Sequence, residues 1–365
     1  MKSPRYTPLV ASLPSTVPFV GPETQERAQG AKFAARLGAN ENVFGPSPKA
    51  TKAMAEVDIW AYGDPENYDL KQALAVHHDV APENIVVGEG IDGLLGYLVR
   101  MLVEHDTPVV TSKGAYPTFN FHVAGFGGAL KTVPFKGDFE DPDALIAKAR
   151  AVDASLIYIA NPDNPMGTWH GAEIMQKMID NVPNGAVLCL DEAYVEFAPV
   201  GTAPALDVST PNIIRMRTFS KAYGMAGARV GYAIAEASLI DAFNKVRNHF
   251  GMNRAAQAGA LAALGDQNYL AQTLKNVTAA KARIGDIVRW NGFEPLPSAT
   301  NFVTIDCKRD GDYARALVSA LIARGIFVRM PFVAPQDRCI RVSAGREVDL
   351  DLFEAALPQA IKAIS

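Results

Sequence analysis

Cysteine is scarce in this chain of 365 residues: Cys189, Cys307 and Cys339 are far apart and odd in number. That count argues against a disulfide framework. Each cysteine lies in or beside an apolar, strand-like run, where it reads as a small core residue. Histidine is also sparse, with six residues and no His-x-x-x-His spacing. The adjacent His77 and His78 fall on a predicted helix and read as solvated side chains, so no metal site is expected. Neither sign of charge dominates: 35 Lys and Arg stand against 39 Asp and Glu, a net charge of −4. The bulk balance gives no ground for binding nucleic acid or a membrane surface. No apolar run is long enough to span a bilayer. Near the start, Pro4, Pro8, Pro14 and Pro18 interrupt any signal-like apolar core, and a cytoplasmic protein is expected.

What is present is ordinary globular material, 48% hydrophobic and 20% charged. The length suits two domains or one large one. Apolar runs at 85–87, 108–111, 130–133, 156–159, 186–190, 213–216 and 229–234 alternate with helical patterns at 69–78, 93–103, 142–149 and 173–180. Most of the runs are continuous rather than alternating, as in strands buried on both faces of a mostly parallel sheet. The expected fold is α/β, a three-layer αβα large domain around a mostly parallel seven-stranded sheet. The pattern changes after residue 265. A long amphipathic segment at 269–290 leads to a strand at 301–306, a helix at 313–324 and strands at 326–329 and 339–342. This reads as a smaller α+β domain. The expected division is 36–265 for the large domain, with 1–35 and 266–365 as a Pro-rich N-terminal arm and the small domain.

The chemistry-bearing motifs sit where the strands end. Gly88-Glu89-Gly90-Ile91-Asp92-Gly93 follows the first run, opens a helix and matches G-x-G-x-x-G, the dinucleotide fingerprint. A Rossmann site also needs an acidic residue ending a second strand about 20 residues on. Asp106 comes too early, and Thr111-Ser112-Lys113 ends that strand instead. The narrower reading is a turn whose Ile91 and Asp92 amides cradle one phosphate at a helix N-terminus. A plain strand–helix turn is the alternative. Tyr116-Pro117-Thr118-Phe119 follows the next run and offers an aromatic for ring stacking or for the core. Asn161-Pro162-Asp163-Asn164-Pro165-Met166-Gly167 forms an irregular loop at the sheet's carboxyl edge, where α/β proteins bind ligands.

Asp191, in Asp191-Glu192-Ala193-Tyr194, closes an apolar run. A carboxylate there is costly unless paired, though capping the next helix is a simpler role. Arg217-Thr218-Phe219-Ser220-Lys221 is the most informative stretch, with Arg229 eight residues beyond Lys221 across a Gly-rich turn. A strand-end lysine flanked by hydroxyls and an arginine suits a Schiff base with an aldehyde cofactor whose phosphate those groups hold. Taken alone, a Ser-Lys pair is more often solvated surface.

Together, residues 161–167, 191–194 and 217–229 resemble the fold-type I pyridoxal-phosphate aminotransferases of class I and II. The chain is most similar to the histidinol-phosphate aminotransferase branch, from Pro18 to Gly345. The resemblance implies pyridoxal 5′-phosphate as cofactor and Lys221 as Schiff-base lysine and proton shuttle, with neighbouring cations helping to lower its pKa. Asp191 would pair with the protonated ring nitrogen. Tyr194 and Asn164 would reach the phenolic oxygen, and Phe119 would stack on the ring. Ile91, Asp92, Thr218, Ser220 and Arg229 would hold the phosphate, with Tyr62 reaching it from the other subunit of a homodimer. Asn40, Arg329 and Arg341 match substrate positions. Phe19 stands where relatives usually carry a tyrosine that helps with the substrate's phosphate.

The implied reaction moves an amino group from an amino acid or histidinol phosphate to 2-oxoglutarate by a ping-pong mechanism. An aromatic amino acid aminotransferase and a phosphothreonine-decarboxylase-like enzyme share the fold and the motifs. A nicotinamide-dependent dehydrogenase rests on the glycine motif alone, and a non-catalytic binding module needs only the fold.

Overall fold

The computed structural model describes residues 4–15 and 20–364. Its strands, in chain order, are β1 (Ala35–Arg36), β2 (Ile85–Gly88), β3 (Pro108–Ser112), β4 (Ala129–Val133), β5 (Leu156–Ala160), β6 (Val187–Asp191), β7 (Ile213–Thr218), β8 (Gly231–Ala235), β9 (Glu294–Pro295), β10 (Phe302–Asp306), β11 (Ile326–Phe327) and β12 (Cys339–Ser343). Seven of them form one sheet in the order β2-β8-β7-β6-β5-β3-β4. Strands β3 to β7 run parallel, while β8 is antiparallel to both β2 and β7. Each of the seven apolar runs holds one of these strands.

The continuous apolar runs have the cause expected of them. Successive side chains of a strand point to opposite faces, and here both faces are covered. Tyr158, Cys189 and Met216 meet Leu94, Leu98 and Phe119 from helices Gly90–Leu102 and Pro117–Gly125. Ile157, Ile159 and Leu188 meet Leu145, Met175 and Met178 from helices Pro142–Val152 and Ala172–Asp180 on the other side. Strand β4 departs from the pattern. It lies at the sheet edge, and Lys131 and Thr132 are exposed there, polar side chains that blunt an open edge.

Beyond the long helix Gln267–Trp290, β10 pairs antiparallel with β9 and β12. Helices Gly311–Ile322 and Glu347–Ile364 close an apolar core over this sheet through Leu317, Leu321, Phe353 and Leu357. Strand β1 pairs in parallel with β11, so the early chain joins this region. The expected strand at 326–329 stops at Phe327, after which Arg329 makes an isolated bridge to Arg341. Among the described residues no helix is long and apolar enough to cross a membrane.

Strand order turns at β3: β4 follows on one side of it, and β5, β6 and β7 on the other. Ligands of open α/β sheets bind beyond the carboxyl ends of strands at such a point.

Candidate active site

A cavity of about 250 Å³ opens at the carboxyl ends of β5, β6 and β7. Lys221, which follows β7, borders it. Its Nζ donates to the Asn40 carbonyl at 3.2 Å and lies 5.5 Å from the centre of the Tyr194 ring. Burial brings the amine's pKa down from 10.5 to about 8, with smaller contributions from Arg341 and Arg229. The cations counted on from sequence therefore help, but desolvation is the larger cause.

Asp191 is the last residue of β6. Its Oδ1 accepts from the Ala193 amide at 3.0 Å and its Oδ2 from the Tyr158 hydroxyl at 2.6 Å. Burial raises its pKa to about 6, against the lowering effect of those two bonds. Tyr194 accepts from Asn40 Nδ2 at 2.9 Å, and its ring stands perpendicular to Phe302 at 5.6 Å.

The opposite end of the cavity is built for an anion. Gly90, at φ +76°, turns the chain from β2 into its helix, and a Cβ there would come within 2.5 Å of Arg229 Nη2. Glycine thus serves both the left-handed backbone and the close approach of the guanidinium. Ile91 and Asp92 begin that helix, where unpaired amides and the helix dipole favour negative charge. Arg229 Nη1 donates to Ser220 Oγ at 3.4 Å and the Ala226 carbonyl at 3.1 Å, and its Nη2 lies 3.8 Å from the Asp92 carboxylate. The Thr218 hydroxyl donates to the Val230 carbonyl at 3.1 Å and accepts from the Ser220 amide at 3.0 Å, so it braces the turn that carries Ser220 and Lys221.

The aromatic position is revised. Tyr116 borders the cavity and donates to Asp92 Oδ1 at 2.9 Å. Phe119, expected there, lies a layer behind, wholly buried and stacked on Tyr158 with centroids 4.4 Å apart and planes at 15°. Pro117 starts the helix directly after Tyr116, which leaves Tyr116 at the mouth and turns Phe119 into the sheet.

On the substrate side, Arg341 of β12 is buried. Its Nη1 donates to Asn164 Oδ1 and its Nη2 to the Gly38 carbonyl, while Nε has no partner among the described residues. With its carbonyl oxygen so engaged, Asn164 has its amide NH₂ to offer a ligand. Burial lowers the Arg341 pKa to about 10. Arg329 also borders the cavity, and its Nη2 donates to the Val20 carbonyl of the N-terminal arm at 2.7 Å. Asn40, in left-handed backbone, ties the parts together: its amide donates to Ser343 Oγ at 3.0 Å, and its carbonyl also accepts from Asn301 Nδ2 at 3.0 Å. Two residues named from the sequence remain, and one of them, Tyr62, is expected at the other subunit's phosphate rather than here. Tyr62 is 80% exposed and away from the cavity, its ring 5.0 Å from Phe250. Phe19 lies outside the described residues.

Tyr158 was missed from sequence. It looked like one more apolar residue of a strand, and no local pattern shows which face it takes. The whole arrangement has an amine poised near neutrality, an anion cradle at one end and a buried carboxylate at the other. It fits a flat, phosphate-bearing aldehyde with a basic ring nitrogen, the shape the Gly90 turn and Asp191 leave between them.

The sequence profile of the family "Aminotransferase class I and II" matches residues 34–357. A histidinol-phosphate aminotransferase of Desulfotalea psychrophila is 34% identical over 349 residues, 93% of this chain and 91% of that protein. The crystal structure of a histidinol-phosphate aminotransferase from Sinorhizobium meliloti, in complex with pyridoxal-5′-phosphate, is 51% identical, with a TM-score of 0.96 over 100% of this chain and 99% of that one. An aspartate aminotransferase from Thermus thermophilus, with maleate, is 19% identical and shares the fold, with a TM-score of 0.82 over 99% of this chain and 100% of that one.

Proposed function

Since the chain belongs to the class I and II aminotransferase family, we propose that it moves the amino group of histidinol phosphate to 2-oxoglutarate by a ping-pong mechanism. It is a pyridoxal-phosphate-dependent aminotransferase. The observation that supports this donor is Arg341. A buried guanidinium that donates to an amide oxygen and a carbonyl, with Nε unpartnered among the described residues, is costly, and an anionic group of the substrate would complete it. Arg329, bridged to it across the strand pair, offers a second cation.

When bound, pyridoxal phosphate supplies an aldehyde for the Lys221 amine and a protonated ring that draws electrons from the bond broken at the substrate's Cα. The chain does the rest. Gly90, Ile91, Asp92, Ser220 and Arg229 hold the phosphate end, and Asp191 keeps the proton on the ring nitrogen. Tyr194 and the Asn164 amide orient the phenolic oxygen. Lys221 Nζ moves the proton at the substrate's Cα.

Comparison of kcat/KM for histidinol phosphate, phenylalanine and phosphothreonine tests the donor. Histidinol phosphate should lead, and Arg341→Gln should cost it about 100-fold, the worth of a charge-assisted bidentate contact. A clear preference for phenylalanine would place the chain among aromatic aminotransferases. Release of carbon dioxide from phosphothreonine would make it a decarboxylase.

The same reading makes the protein a cytoplasmic homodimer with shared sites. Its three cysteines are buried and unbridged, which suits a reducing compartment. Ile59, Trp60, Tyr62 and Phe250 are exposed apolar side chains, as an interface would need. Tyr62 would reach the partner's phosphate. Mixed dimers of Tyr62→Phe and Lys221→Ala subunits should then carry one intact site, with activity above either parent. A monomer in sedimentation, or mixed dimers no better than Tyr62→Phe, would end this reading.

A further inference from the structure

Asp191 is held from two directions by groups of very different kinds. The Ala193 amide comes from its own turn, two residues on, and would be there for almost any residue at this position. The Tyr158 hydroxyl comes from the neighbouring strand β5 and donates to Oδ2 at 2.6 Å, the short distance of a charge-assisted bond. Tyr158 has no freedom to leave. Its ring is wholly buried and stacked on Phe119, which is itself wholly buried. Both Tyr158 and Asp191 border the cavity. A carboxylate has about four lone-pair directions. With one taken on each oxygen, the rotation of the group is fixed and the remaining directions are the ones that can face a ligand.

We propose that Tyr158 is a positioning residue for the reaction: its hydroxyl fixes the rotation of Asp191 and weakens its basicity, so that the carboxylate meets the cofactor's ring nitrogen as an anion in one orientation. Phe119 takes part by clamping the Tyr158 ring. The inference rests on the reading of Asp191 as partner of that nitrogen. The physical basis is simple. A hydrogen bond donated to a carboxylate favours its charged form, while burial favours the protonated one. Tyr158 is the largest of the effects opposing burial at Asp191. Without it, Asp191 would be the more basic group and would compete with the ring nitrogen for the proton between them.

Tyr158→Phe keeps the ring and removes one oxygen. In the cofactor-free protein, isotope-edited infrared or carbon-13 NMR should place the titration of Asp191 about one to two pH units higher than in the parent. In the loaded enzyme, kcat should fall about tenfold or more with little change in KM, and the pH profile of the bound cofactor's absorbance should shift. Phe119→Leu, which keeps the hydroxyl, should give a smaller shift in the same direction. In the unmodified protein, the Tyr158 ring-carbon resonance beside the hydroxyl should follow the same midpoint as Asp191, a measurement that needs no variant to fold. An unmoved Asp191 titration in Tyr158→Phe, or a Tyr158 resonance blind to it, would overturn the proposal. Asp191→Asn, measured in parallel, separates the two ideas. If Asp191→Asn is inactive and Tyr158→Phe is normal, only the role of Tyr158 falls. If Asp191→Asn is fully active, the reading of Asp191 falls with it.

Discussion

Lys221→Ala should lower turnover by about 10⁴-fold or more, because one substitution removes both the covalent anchor and the proton carrier. The fold should survive. The side chain ends in the cavity and donates to the Asn40 carbonyl, and that carbonyl keeps Asn301 as a donor. Much of the cofactor's affinity should also survive, since the phosphate end is held by other residues. The variant should show no borohydride-reducible link to the cofactor. A link at another lysine with normal turnover would show the role to be misassigned. The lowered pKa adds a pH signature. With a pKa of about 8, about a quarter of the amine is neutral at pH 7.5, against about 0.1% at the ordinary 10.5. Reconstitution of the cofactor-free protein should therefore speed up as pH rises and level off above 8, not above 10.

Asp191→Asn should cost turnover about 10² to 10³-fold, the scale of removing one preorganised charge from a dry site. The effect should fall on single-turnover rate rather than on cofactor affinity, and a near-normal rate would remove Asp191 from the mechanism. Stability should move the other way. The folded pKa of Asp191, about 6, lies above its ordinary 3.8, so the folded state prefers the protonated form. Stability from this group is greatest below pH 4 and declines as pH rises through 6. Above pH 6 the buried charge costs about 3 kcal/mol by linkage. The cofactor-free asparagine variant should thus melt higher than its parent at pH 8 and about equally at pH 4.

How much of this could be read from the chain differs from residue to residue. Lys221 and Asp191 were legible because each follows an apolar run that has to be a buried strand, and a charge at such an end needs a reason. The seven strands were legible for the same cause. Phe119 and Tyr158 were not. A strand covered on both faces loses the alternation that would tell one face from the other. The contact between Arg341 and Asn164 joins β12 to the loop after β5, and no local pattern marks a partner so distant. Helix Arg254–Leu264 also escaped, because its buried face is mostly alanine and glycine, with Leu264 the one large apolar residue buried on it. That face allows a close approach: a Cβ on Gly259 would stand 2.5 Å from Met54 Cγ. Small residues signal proximity only once the neighbour is known.

Strand β2 is the first of the main sheet to be made and the last to be paired. Its one neighbour is β8, with Ile85 opposite Ile234 and Gly88 opposite Gly231. While a ribosome works through the parallel strands between them, β2 has an unmet edge, and the turn at Gly90 has nothing to hold it against the sheet. Lys221 and Arg229 lie on the connection that brings β8 back antiparallel beside β7. The step that satisfies the waiting strand therefore also delivers the lysine and the arginine to the helix start facing them. Completion of the sheet and completion of the anion cradle are one event, which topology places after the other six strands of the sheet have been made.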